Sequence, residues 1–205
     1  MAEEEDPFKR QAIRNGFGKV CCQWWTVACS TREYAVRTST RILRLMSFVE
    51  EKDEGESVRS LVLGMGEESV AGGRSAGVVL LEKCPSVVQL ELRFRKEAKV
   101  GAPLVAALRG LTQVKEVELT GGAHIKIDDL DSILRSWNDL QTLKLSITIN
   151  VTDTFKNNSP STSSLRRLEI VADKNLIFPL ARVLQDVTSL RSLVVRNDPH
   201  KPTLS

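Results

Sequence analysis

The residue types that do chemistry are few in this sequence and poorly placed for it. His124 and His200 are the only histidines. Both fall in turn or tail contexts, and neither has a Ser, Cys or carboxylate arranged around it as nucleophilic or acid–base catalysis requires. Gly64-Met65-Gly66 follows an apolar run, where a dinucleotide-binding loop would begin. The third glycine of that fingerprint falls on Ser69, however, and no phosphate-binding lysine motif is present, so turn glycines are the simpler reading. Asp128, Asp129 and Asp131 open an apolar-periodic segment, which makes them charges at the positive end of a helix rather than a metal or acid–base set. Cys21, Cys22, Cys29 and Cys84 have no CxxC spacing and no nearby histidine, so they do not form a zinc site. They are expected to be buried, reduced thiols in an intracellular protein, cytoplasmic or nuclear. The expectation is a protein that is not an enzyme, with no catalytic residues, no cofactor and no metal.

Composition narrows the partners. A net charge of +3 spread over scattered basic residues is no nucleic-acid footprint. The acidic start, MAEEED, lacks the apolar core of a signal peptide. No apolar run approaches the ~18 residues that read as a membrane span, so the sequons at Asn150–Thr152 and Asn157–Ser159 are expected to be unused. Apolar residues make up 41% of the chain and aromatics only 5%, so Leu and Val must carry the packing.

What could position a functional surface is a six-residue phrase that returns through the chain. It reads VRSLVL from Val58, VVQLEL from Val87, VKEVEL from Val114, LQTLKL from Leu140, LRRLEI from Leu165 and LRSLVV from Leu190. The first, fourth and sixth residues of every copy are aliphatic. The fourth-place anchors Leu61, Leu90, Val117, Leu143, Leu168 and Leu193 are 29, 27, 26, 25 and 25 residues apart. Such a period marks stacked supersecondary units. Each phrase alternates like a strand and is followed by a polar turn and a helical return.

The returns are predicted over Gly73–Lys83, closed by Cys84-Pro85, then Val100–Leu111, Ile127–Trp137 and Leu176–Val187, with prolines only near helix starts or just past their ends. Asn150–Ser164 is the weak return, with only Val151 and Phe155 to bury, and is predicted to be a loop. Upstream, Ile13, Phe17, Val20, Trp24, Val27 and Ala28 recur at helical spacing. Tyr34–Thr38 alternates like a short strand, and Ser39–Glu51 reads as an amphipathic helix. The charged stretch Glu50–Ser57 is expected to divide an N-terminal module, residues 1–57, from a repeat array, residues 58–205.

A period-2 phrase alternating with a 3.6-period segment leaves each unit with an apolar surface that it cannot bury alone. Stacking hides that surface and pairs the strands as a parallel sheet. The expected fold is therefore α/β: a solenoid with its parallel sheet on the concave face and irregular helices outside, coiled right-handed. An ordinary doubly wound α/β domain is the alternative; it accounts for the strands and helices but not for six copies with matched internal spacing. The chain stops at Ser205, just after the sixth phrase, so a truncated array with an uncovered last unit and poor solubility is expected.

The LxxLxL phrase resembles the leucine-rich repeats of the ribonuclease-inhibitor-like type over roughly residues 58–205. That family places Asn or Cys at the ninth position. Here the position holds Gly66, Arg95, Gly122, Thr148, Asp173 and Asp198, so the turns must close by other means and the coil should be irregular. Val20-Cys21-Cys22-Gln23-Trp24-Trp25-Thr26-Val27-Ala28 resembles the last helix of an F-box, and the following strand and helix resemble the linker common in fungal F-box proteins with leucine-rich repeats. Met1–Gly18 lacks the Leu-Pro opening and apolar helix of that motif, so the likeness is to its second half, a small helical remnant. The resemblance implies a substrate receptor of a Skp–cullin–F-box ubiquitin ligase, with Val20, Trp24 and Val27 meeting a Skp-type adaptor. Without the adaptor link, the same repeats imply a scaffold or interaction protein.

The alternation also nominates a surface. Residues flanking each fourth-place anchor point away from the helices: Gln89, Glu91 and Arg93; Glu116, Glu118 and Thr120; Thr142, Lys144 and Ser146; Arg167, Glu169 and Val171. Their mixed signs suit a protein target on the concave face, with no nucleic acid and no membrane as partner.

Overall fold

The computed structural model describes residues 33–36, 38–52, 55–65, 75–95, 98, 100–150, 164–172 and 187–197. Within them lie seven strands: β1 (Glu33–Val36), β2 (Ser60–Met65), β3 (Gln89–Phe94), β4 (Glu116–Lys126), β5 (Thr142–Asn150), β6 (Arg167–Ala172) and β7 (Ser192–Asn197). Four α-helices accompany them: α1 (Ser39–Lys52), α2 (Ala76–Lys83), α3 (Ala102–Gly110) and α4 (Ile127–Ser136). The strands form one sheet in chain order, β1 to β7, and all six pairings are parallel. This is a mixed α/β fold. The anchors stand side by side: Leu61 pairs with Leu90, Leu90 with Val117, Val117 with Leu143, Leu143 with Leu168, and Leu168 with Leu193.

Each strand starts two residues later than its phrase. The first aliphatic of the phrase closes the turn before the strand instead, and Val58, Val87, Val114, Leu140 and Leu165 are all buried there. The second residue makes the joint between neighbours. The Arg59 carbonyl accepts hydrogen bonds from the N–H groups of both Val88 (2.8 Å) and Gln89 (3.0 Å). The same two-to-one bond recurs at the carbonyls of Val88, Lys115, Gln141 and Arg166, with N···O distances between 2.7 and 3.1 Å. Parallel strands need a crossover, and the repeated joint returns the chain to the same register after each one.

The strand over Tyr34–Thr38 is observed as Glu33–Val36. It is hydrogen bonded to β2, with Tyr34 opposite Leu61. Residues placed by sequence in the N-terminal module thus contribute the first strand of the shared sheet. Helix α1 buries Ile42, Leu45 and Val49 and packs on α2, which in turn packs on α3, and α3 on α4. The chain enters β2 through Gly55, where a side chain has no room: a Cβ would lie 2.0 Å from the Lys83 carbonyl oxygen.

Three residues before the first aliphatic of each phrase, Gly55, Cys84, Leu111 and Trp137 occupy equivalent buried places. Cys84, Leu111 and Trp137 are the C-caps of α2, α3 and α4, each donating its N–H to the carbonyl three residues back. That bond satisfies one of the carbonyls a helix end leaves unpaired. The Trp137 indole Nε1–H also donates to the Leu108 carbonyl, at 2.9 Å, fastening one unit to the one before it.

Two expectations are corrected. A polar turn was expected after Leu119, but β4 runs on to Lys126, with its register to β5 interrupted between Thr120 and His124 and Gly121 at φ +104°. His124 accordingly lies in a strand and not a turn. Its N–H donates to the Ala98 carbonyl (2.9 Å) and its carbonyl accepts from the Val100 N–H (3.0 Å). This backbone pairing joins Ala98 and Val100, beyond β3, to the second half of β4. The second correction is the polar turn after Leu145: β5 continues to Asn150, burying Ile147 and Ile149, with Ile149 opposite Ile125. The N-terminal helix with Val20, Trp24 and Val27, the loop over 151–163 and, except for Val187, the return over Leu176–Val187 lie outside the described residues.

Candidate recognition surface

The pleat decides what the sheet shows on each side. In β3 the residues Leu90, Leu92 and Phe94 are buried, while Glu91 and Arg93 are half-exposed and Gln89 is exposed. β5 alternates in the same way about Leu143 and Leu145. All the nominated side chains stand on the second face, and the register arranges them in rows. Gln89, Glu116, Thr142 and Arg167 are consecutive partners, as are Glu91, Glu118, Lys144 and Glu169. Arg93, Thr120 and Ser146 form a third row. Adjacent strands lie about 4.8 Å apart, so side chains in one row touch.

Those contacts are polar. Lys144 Nζ is 3.2 Å from Glu118 Oε2, and Gln89 Nε2 donates to Glu116 Oε2 at 3.1 Å. Arg93 pairs with Glu91 within its own strand. Glu169 takes two guanidiniums, Arg167 at 3.5 Å and Arg196 at 3.2 Å. Arg196 on β7 was not among the nominated residues. Its register position opposite Val171 follows from the spacing of the sixth phrase, which would have found it.

Among the described residues the face is electrically lopsided. Glu33, Glu91, Glu116 and Glu118 face Arg93 and Lys126 on β1–β4, whereas Lys144, Arg167 and Arg196 face only Glu169 on β5–β7. The first end, at β1 and β2, is also less polar. Ala35 and Val62 sit on this face and are buried.

Of the other residues weighed for chemistry, Gly66, Ser69, Cys21, Cys22, Cys29 and His200 lie outside the described residues, and the rest have structural places. Gly64 and Met65 lie inside β2, opposite Arg93 and Phe94, and Met65 packs its sulfur against Gly77. Asp128 and Asp129 are in the first turn of α4, and Asp131 pairs with Arg135 at 2.8 Å. Among the described residues no three His, Cys, Asp or Glu side chains converge as a metal site. No helix among them is long and apolar enough to cross a membrane.

Cys84 is wholly buried, and desolvation pushes its thiol up from 9.0 to about 11, with Lys83 partly opposing the rise. A raised value in the folded state favours the protonated form. The associated stability is complete below pH 9 and is lost as pH rises through about 11. At pH 8 Cys84 should resist iodoacetamide in the folded protein and react once the chain is unfolded in urea. Mass spectrometry of the peptide carrying Cys84 reads this directly, and equal labelling in both states would show that the thiol is not sequestered.

Set against known proteins, the chain matches no family model and no curated protein at a significant level.

Proposed function

We propose that this chain is a non-catalytic protein-recognition module, an intracellular leucine-rich-repeat solenoid that holds a protein target on the open face of its sheet. The observation that carries this reading is the set of in-register polar rows on β3–β6. Supporting the solenoid are the strand order and the recurrent two-to-one joint. A doubly wound sheet reverses direction at a switch point, where ligands bind, and a sheet whose strands run in chain order has none. Broad sheet surfaces of repeat arrays commonly serve binding, although a fold alone does not assign function. The finer form is an F-box-like substrate receptor of a Skp–cullin–F-box ligase, favoured by the Val20–Ala28 phrase with Val20, Trp24 and Val27 toward the adaptor. The same face without the adaptor makes a scaffold.

The test attaches a photocrosslinker at Thr142→Cys on the open face or at Arg109→Cys on α3 and exposes both proteins to cell extract. A discrete protein captured only from Thr142→Cys is the expected result. Equal capture from both positions, or from neither, would remove the recognition reading. Purified Skp-type adaptor is tested separately against the full chain: saturable binding lost in Trp24→Ala supports the receptor form, and no binding leaves the scaffold.

A further inference from the structure

The last strand carries a feature that the open face does not explain. Among the described residues β7 ends the sheet, paired to β6 alone. On the core side, Leu193 is 58% exposed and Val195 44%. Their partners on β6, Leu168 and Ile170, are 0% and 6% exposed because β7 lies beside them. The backbone repeats the story. Five carbonyls in series, from Arg59 to Arg166, each accept two N–H groups from the following unit, and the Arg191 carbonyl is next in that series with no N–H donor among the described residues.

We propose that the β7 edge accepts an extended segment of a partner protein as an eighth strand, and that this segment alternates aliphatic with acidic residues. Strand addition to a free edge draws affinity from backbone hydrogen bonds and selectivity from alternate side chains. The aliphatic half of the pattern is set by Leu193 and Val195, which need cover of their own kind. The acidic half is set by the other face, where Arg167 and Arg196 both pair with one carboxylate, Glu169. Arg196 remains 65% exposed despite that pairing, which leaves its guanidinium open to a second carboxylate.

A second copy of this chain meeting the edge would bring the same arginines against their like, so the geometry favours an acidic partner over self-association. Charges on an edge can also serve to keep strands apart. An edge protected in that way places a charge in the aliphatic layer, and here Leu193 and Val195 keep β7 aliphatic on that side while Arg167 and Arg196 stand on the opposite face. The proposal shares Arg167 and Glu169 with the polar rows, but the edge itself and the residues altered to test it, Leu193 and Arg196, lie on β7, outside β3–β6.

The experiment titrates the full chain into a fluorescently labelled short peptide in which Leu or Val alternates with Glu, followed by anisotropy. Saturable binding that weakens with salt is expected, together with no binding of the matching peptide carrying Lys in place of Glu. Reversing the charge on that face of β7 (R196E) should weaken the Glu peptide by roughly three- to tenfold and admit the Lys peptide. L193K should weaken binding without unfolding the chain, because Leu193 is already exposed. R109E on the outer helix should bind as the unaltered chain does. Three results would overturn the proposal: no binding of the Glu peptide, equal binding of both peptides, or indifference to the arginine reversal. Light scattering that finds a dimer dissolved by L193K would equally do so, by giving the edge to a second copy.

Discussion

Replacing Gly121 with alanine should lower the unfolding free energy by about 2–4 kcal/mol, measured by urea denaturation. Two effects add. At φ +104° the backbone occupies a region that L side chains rarely adopt, and the new Cβ would sit 2.0 Å from the Phe94 carbonyl oxygen. That oxygen belongs to the neighbouring strand, since Phe94 is the register partner of Gly121, so relief means separating β3 from β4 locally. Gly110→Ala is the matched control. It lies at the end of α3 with nothing within 4 Å of its built Cβ. Alanine there should be neutral or stabilise by about 0.5–1 kcal/mol through the unfolded chain. Equal effects at the two sites would show that the close approach of β4 to Phe94 is not what Gly121 serves.

Trp137→Ala should cost about 3–5 kcal/mol, the largest loss expected of any single truncation in the described core. Trp137 heads the largest fully buried side chains, so its removal leaves a void between two units rather than at a surface that can collapse. Trp137→Phe separates volume from hydrogen bonding. It keeps most of the ring and loses the indole donor to Leu108, which should cost about 0.5–1.5 kcal/mol for the bond. The Leu108 carbonyl still accepts from the Leu111 N–H at 3.2 Å, so the phenylalanine variant leaves no buried acceptor without a partner. If the two variants unfold at the same urea concentration, the indole bond and not the packing is what Trp137 contributes.

The repeated phrase made most of this sheet legible because its period-2 and period-27 signals are both properties of side-chain type. Leu61, Leu90, Val117, Leu143, Leu168 and Leu193 line up as their spacing requires, and the open-face rows follow from the pleat. β1 was expected as a strand but not as a member of the repeated sheet. Tyr34 lies 27 residues before Leu61, which fits the period, but its copy begins with Thr31 and anchors on an aromatic, so the aliphatic triplet is missing. The extension of β4 was hidden by Gly121-Gly122, a pair that reads as a turn, although Ala123 and Ile125 keep the alternation. What the side chains cannot reveal is a joint made by the backbone. The two-to-one bonds at Arg59, Val88, Lys115, Gln141 and Arg166 occur at residues of four different types. The adaptor half of the functional reading rests on Val20, Trp24 and Val27, which lie outside the described residues, and so gains nothing from the geometry of the sheet.

Those joints have one further consequence. A connector indifferent to the side chain it sits on places no demand on which residue fills that position, so the exposed letter there is left free to drift. Drift at such letters changes the charge presented along one rim of the sheet without disturbing how neighbouring strands meet. A family of descendants could thus acquire different partners by altering that rim while its scaffold stayed the same.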